Sequence, residues 1–178
     1  MCRFAAGSLD ADGQVVTSLV PKPLLTVAFA VPKGDRPELI VQKLTELGID
    51  RIVPIRSDRS VVAWDGERAG KHVERLRRVA REAAMQSRRV WLPVVDPLTA
   101  FDAFDAIDRS ATALAEPGGE ALDGSIETVL VGPEGGWSEA ELARGVRRVS
   151  LGSTVLRVDT AAIAAAVRIC ALRGHHVT

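Results

Sequence analysis

The run Leu24-Leu25-Thr26-Val27-Ala28-Phe29-Ala30-Val31 carries no charge and no alternation of polar and apolar residues. A strand with one wet face reads as an alternation, so a continuous run of this kind belongs to a strand buried on both faces of a parallel sheet. Parallel neighbours need crossovers, and a helix follows at once. Asp35 with Glu38 forms a capping-box-like start, Pro37 suits the first helical position and Gly48 supplies the stop. Leu39, Ile40, Leu44 and Leu47 share one face of that helix.

The alternation continues to the end of the chain. A strand is predicted over Arg51–Ile55, an extended piece over Ser60–Trp64 and a long helix from His72 to Ser87. Then come a strand over Val90–Val95, a helix over Leu98–Ile107, and strands over Thr112–Glu116 and Thr128–Val131. A helix over Glu139–Arg147, a strand over Val149–Leu151 and a last helix over Ala161–Arg173 close the sequence. Ser138 and Glu141 make a capping box. The fold class is therefore α/β, a mostly parallel sheet with helices on both faces. At 178 residues there is room for one such domain, over residues 24–178. Residues 1–23 read as irregular, with a turn at Asp12-Gly13 and a linker at Pro21 and Pro23.

Charge is neutral in sum and polarised along the chain. Residues 51–91 hold 11 basic and 5 acidic side chains, whereas residues 92–146 hold 2 basic and 11 acidic. Net neutrality argues against indiscriminate binding to nucleic acid, but the basic stretch is rich in Arg, whose planar fork grips phosphate. With seven aromatic residues and no Tyr, a surface of stacking rings is not expected. Cys2 and Cys170 have no Cys or His neighbours at ligand spacing, so neither a metal site nor a disulfide framework is indicated, and a reducing cytoplasm is the expected setting. No apolar run is long enough to span a membrane.

Several familiar motifs are absent. Gly66 to Lys71 is one residue short of a P-loop, and His72 stands where a Ser or Thr would hold magnesium. No G-x-G-x-x-G, G-x-S-x-G or H-E-x-x-H occurs. What remains is three loops at the ends of the last strands, where open α/β sheets bind ligands. They are Val131-Gly132-Pro133-Glu134-Gly135-Gly136-Trp137, Glu116-Pro117-Gly118-Gly119, and Leu151 through Ala161. Glycines flanking a rigid Pro let backbone groups face a flat ligand. One Gly-Gly alone is usually a turn with a cap; three such loops at one sheet edge suggest a site.

The GPEGG loop with its capped helix, followed by LGSTVLRVDTA, resembles the SPOUT class of RNA methyltransferases and, more narrowly, the RsmE family of 16S rRNA (uracil-N3)-methyltransferases. Upstream segments agree in order: Lys33 to Arg36, Gln42 to Gly48, Pro54, Arg59-Ser60-Val61, and Glu82 through Arg89 with Pro93. The resemblance covers about residues 24–173. It implies a deep trefoil knot at the C-terminus, S-adenosylmethionine bound within it, a homodimer, and 16S rRNA or the 30S subunit as substrate. It also implies an N-terminal PUA-like RNA-binding domain, of which residues 1–23 would be the tail.

The residues expected at the cofactor are Glu116, Val131, Gly132, Pro133, Gly135, Gly136, Leu151, Gly152, Val155, Leu156, Arg157, Thr160 and Ala161. Methylation at uracil N3 requires removal of a proton and stabilisation of the anion on the carbonyl oxygens. Glu134 is the candidate for the first task; Arg59, Gln86 and Arg89 are the substrate-side candidates for the second. For Glu134 the alternative is a loop carboxylate holding backbone N–H groups, and for the Arg residues a solvated helix face with Glu74–Arg78 and Arg78–Glu82 pairs. Asp159 and Thr160 are expected to cap the last helix; His72, His175 and His176 read as a helix start and a tail. Two other readings stay open: a related methyltransferase acting on tRNA or a ribose 2′-oxygen, and a non-catalytic RNA-binding or assembly module.

Overall fold

The computed structural model describes residues 2–5, 7–11, 17–62, 64–106 and 109–174. An antiparallel hairpin, β1 (Cys2–Ala5) with β2 (Ser8–Ala11), precedes the main body. The main body follows as β3 (Thr26–Ala30), α1 (Arg36–Leu47), β4 (Arg51–Arg56), α2 (Gly66–Gln86), β5 (Val94–Val95) and β6 (Thr99–Ala100). Two 3₁₀ turns, Phe101–Ala106 and Arg109–Ala111, lead into β7 (Thr112–Ala121), β8 (Thr128–Val131), α3 (Glu139–Leu142), β9 (Arg147–Ser150) and α4 (Val158–Gly174).

The main sheet has seven strands in the order β5-β4-β3-β8-β7-β9, with β6 also alongside β4, and every pairing is parallel. Every residue of β3 and of β8 is buried, as the unbroken apolar runs require. Within them the faces still alternate. Val27, Phe29, Val129 and Val131 join α1, α2 and α4 through Ile40, Leu44, Leu76, Ala162 and Ile169. Ala28, Ala30 and Leu130 face the thinner second layer, made of Phe101, Phe104, Trp137 and Leu142. Helices thus cover both faces, three long ones on one side and short turns on the other.

Several expected elements change. Residues 1–23 are not wholly irregular, since they hold the hairpin; the turn at Asp12-Gly13 and the tail histidines lie outside the described residues. Among the described residues of 60–64 no strand forms, and Val90–Val95 shrinks to Val94–Val95. The helix over Leu98–Ile107 is instead β6 and a 3₁₀ turn, because Thr99 and Ala100 are drawn into register beside Ile55 and Arg56. α2 starts at Gly66, earlier than His72. α3 stops at Leu142, where Gly145 at φ +72° turns the chain into β9. At the start of α1 Asp35 makes no side-chain cap, and Glu38 pairs with Arg75 at 2.9 Å. Gly48 does close that helix in a left-handed conformation.

The loop Glu116–Gly119 lies within β7 as an irregularity: Ala115 and Glu120 both pair with Val149. Gly119 is required there, because a Cβ would sit 2.7 Å from the Val149 backbone. Among the described residues, no helix is long and apolar enough to cross a membrane.

Candidate cofactor pocket and substrate-side loop

Because every strand of the main sheet is parallel, their C-terminal ends share one rim, and the three loops singled out in the sequence meet there. They line a half-open cavity of about 260 Å³, slightly below the roughly 300–1,000 Å³ usual for ligand sites. Of the expected cofactor residues, Glu116, Val131, Gly132, Pro133, Gly135, Gly136, Leu151, Gly152, Val155, Leu156 and Ala161 line it, as does Glu134. Arg157 and Thr160 do not. Arg157 instead uses its carbonyl to accept the first hydrogen bond of α4, from Ala161 N at 2.8 Å. Sequence reasoning missed Ala115, Pro117, Trp137, Ser150, Thr154 and Val158 as lining residues, although most belong to the quoted motifs.

Hydrogen bonds pin two of these loops to the sheet and to α4. The Trp137 indole donates to Ala115 O at 3.1 Å and ties the GPEGG loop to β7. Arg168 on α4 donates to Ser150 O at 3.0 Å and holds the end of β9. Gly136, at φ +70°, takes the left-handed turn that redirects the chain towards Ser138. The capping box at α3 forms in full: Ser138 Oγ accepts from Glu141 N at 3.1 Å, and Glu141 Oε2 accepts from Ser138 N at 2.7 Å. Asp159 supplies no visible cap, and its buried Oδ1 has no hydrogen-bond partner among the described residues.

Two of the four catalytic candidates stand at this rim. Arg59, exposed on the loop after β4, donates from its guanidinium to Gly135 O at 2.9 Å. Glu134, at the tip of the glycine loop, faces Arg36 at 3.5 Å. Arg36 begins α1, so its charge is delivered to the rim by the end of β3.

The other two stand at the opposite edge. α2 runs back along the sheet, so Gln86 at its end lies in the groove between α1 and α2, beside Gln42, Glu46 and Glu82. Arg88, at φ +55°, reverses the chain after the helix, and Arg89 turns inward beneath the N-terminal ends of β3 and β4. Arg89 donates to Thr45 O at 3.0 Å and Ile49 O at 2.7 Å and pairs with Asp50. Asp50 also accepts from Arg173 and from Leu25 N. Burial pushes the Arg89 guanidinium below its ordinary pKa, with Asp50 opposing that shift. The same burial raises the Cys170 thiol. Arg89 is thus part of an ion cluster that joins α1, β4 and α4, remote from the cavity. On the solvated face of α2, Glu74 pairs with Arg77 at 2.6 Å, where Arg78 was the expected partner.

The RNA methyltransferase domain family matches residues 20–170. The ribosomal RNA small subunit methyltransferase E of Mycobacterium tuberculosis (strain CDC 1551 / Oshkosh) is 38% identical over 162 residues, covering 81% of this chain and 62% of that protein. Its counterpart from Bacillus subtilis (strain 168) is 36% identical over 155 residues, covering 76% and 60% respectively. The chain therefore spans about three fifths of the length of these relatives. Among solved structures, the methyltransferase E of Neisseria gonorrhoeae bound to S-adenosyl methionine superposes with a TM-score of 0.73 at 31% identity, over 85% of this chain and 69% of that one. The SpoU methyltransferase AviRb of Streptomyces viridochromogenes, at 16% identity and a TM-score of 0.56 over 88% of this chain and 63% of that one, shares the fold.

Proposed function

Since this chain belongs to the RsmE family of SPOUT-type RNA methyltransferases, we propose that it methylates N3 of a uridine in 16S rRNA, using S-adenosylmethionine. The observation that carries this reading is the convergence of the three loops on one cavity whose glycine rim is bonded to Arg59.

The cavity suits such a cofactor. Gly132 leaves room for the loop to pass close against Trp137, and Val131, Leu151, Leu156 and Val158 supply apolar walls for an adenine. Backbone groups of residues 132–136 and 151–156 supply its hydrogen bonds, and the Glu116 carboxylate at the rim suits an ammonium group. When bound, S-adenosylmethionine supplies an electrophilic methyl group. The chain's own part is to prepare the nucleophile. Glu134 accepts the N3 proton, and Arg59, whose guanidinium already lies at the rim, stabilises the negative charge left on the uracil carbonyls. Gln86 and Arg89 have no role in this proposal because they lie at the other edge of the sheet.

The assembly proposed is a homodimer acting on the 30S subunit in the cytoplasm. Its support is α4, which carries apolar residues away from the core as well as in it: Ile163 and Ala164 are half-buried and Val167 is 48% exposed, although the opposite side of the helix is already in the core. The hairpin and linker before Leu24 are assigned to the RNA-binding side of the protein.

Calorimetric titration with S-adenosylmethionine, followed by nucleoside mass spectrometry of 30S particles incubated with the protein, tests the reading. Binding with appearance of 3-methyluridine is expected. No heat at millimolar cofactor leaves only a non-catalytic module; binding with a different methylated nucleoside replaces the substrate.

A further inference from the structure

A capping box uses one oxygen of the acidic side chain, to accept from the N-cap backbone. Glu141 uses both. Its Oε2 accepts from Ser138 N at 2.7 Å, and its Oε1 accepts from Asp58 N at 3.0 Å, on a loop 83 residues away in sequence. Ser138 Oγ closes the ring by donating to Asp58 Oδ2 at 2.5 Å. The Glu141 residue is only 3% exposed, and a carboxylate so buried is tolerated where charge-assisted hydrogen bonds replace water. A cap on a helix of four residues does not by itself need such a group in the core.

The residues on either side of this ring are those of the candidate site. Arg59 follows Asp58 and reaches Gly135 O, whereas Gly135, Gly136 and Trp137 precede Ser138. The cofactor loop and the Arg59 loop are therefore joined at two points, one under the surface at Glu141 and one at the rim. We infer that Glu141 is a positioning residue, whose carboxylate holds the Arg59 loop in register with the cofactor loop so that the guanidinium is presented at the methyl-transfer position. The inference rests on the substrate-side reading of Arg59 given above.

The Glu141→Gln variant keeps the size of the side chain but offers one acceptor in place of two, so one of the two backbone N–H groups loses its partner. Hydrogen exchange of the free, full chain is the first measurement. Amides of residues 57–60 are expected to exchange at least about tenfold faster, with β3 and β8 unchanged. Unchanged protection at 57–60 overturns the inference whatever the substrate. The Ser138→Ala variant, which retains Glu141, is expected to show a smaller increase confined to the same loop, and serves if Glu141→Gln does not fold.

The second measurement is a double-mutant cycle on methyl transfer. Arg59→Ala is expected to cost much less in the Glu141→Gln background than in the parent, with cofactor affinity changed less than about threefold throughout. Equal costs in both backgrounds would show that Glu141 acts on stability alone. If Arg59→Ala has no effect in the parent, the substrate-side reading of Arg59 fails, and exchange at 57–60 alone decides whether the loops are clamped.

Discussion

The indole of Trp137 stands where a side chain on Gly132 would begin: a Cβ at Gly132 would lie 2.9 Å from the ring. The ring cannot withdraw freely, since its N–H is bonded to Ala115 O and its other side meets Phe101 at 5.2 Å between centroids. Loop path and core packing are therefore one constraint. Gly132→Ala is expected to lower stability by about 1–3 kcal/mol through overpacking and to weaken cofactor binding, measured by denaturant unfolding and calorimetry. A parental midpoint and affinity would show that the ring yields.

Gly135 differs from Gly132. A Cβ there meets only Arg59, at an ordinary 3.6 Å, so the backbone can accept a side chain. Gly135→Val is expected to abolish S-adenosylmethionine binding, by filling the rim, while circular dichroism and the melting curve stay near the parent. Unchanged affinity would place the ligand elsewhere.

Removing the guanidinium at the rim tests the chemistry. Arg59→Ala and Glu134→Gln are each expected to slow methyl transfer by roughly 10²-fold, the size usual for losing one general base or one charge-stabilising donor. Cofactor affinity should change far less for Arg59→Ala. Single-turnover assays on 30S particles read this directly, and a parental rate for either variant removes that residue from its role.

Arg89→Ala should behave in the opposite way. Its removal leaves Asp50 with Arg173 but strips the carbonyls of Thr45 and Ile49 of a charged donor, a change in a largely buried ion cluster worth about 1–3 kcal/mol. The melting temperature should fall, while the folded fraction keeps the parental cofactor affinity. A stable Arg89→Ala protein with lost methyl transfer would restore the substrate-side role.

The edge formed by β7 and β9 gives a pH dependence. Arg147 and Ser125 hold the exposed Asp123 carboxyl well below the usual carboxylate range, chiefly through the Arg147 hydrogen bond at 2.7 Å. A lowered folded-state value means that the stabilisation is complete above the unfolded value of about 3.9 and is lost as pH falls towards the folded one. The melting temperatures of the parent and of Asp123→Asn should therefore differ by a small, constant amount above about pH 5 and converge in acid. A gap that widens in acid would contradict the assignment.

What the sequence made legible follows from which interactions are local. β3 and β8 announce themselves because burial on both faces demands unbroken apolar runs, and the capping box at Ser138 is written within four residues. The three loops were found because their glycines and prolines are conformational requirements of the backbone itself. Arg89 was not legible: just past the helix end expected at Ser87 it groups with the polar Arg face, and only the left-handed Arg88 sends the next side chain under the sheet. β5 follows from its valines, whereas the two residues of β6 are too few to signal a strand and form one by pairing with β4. The second role of Glu141 depends on a backbone N–H brought from residue 58, which no local pattern encodes.

The ion cluster around Asp50 and the glycine rim lie at opposite ends of the same parallel strands. α4 spans them, with Val158 and Ala161 in the cavity wall and Arg173 on Asp50. Such a division lets selection act on the two ends separately. Under the proposed function, substitutions along the rim retune the choice of target while the cluster keeps the scaffold stable, so target and fold can change independently.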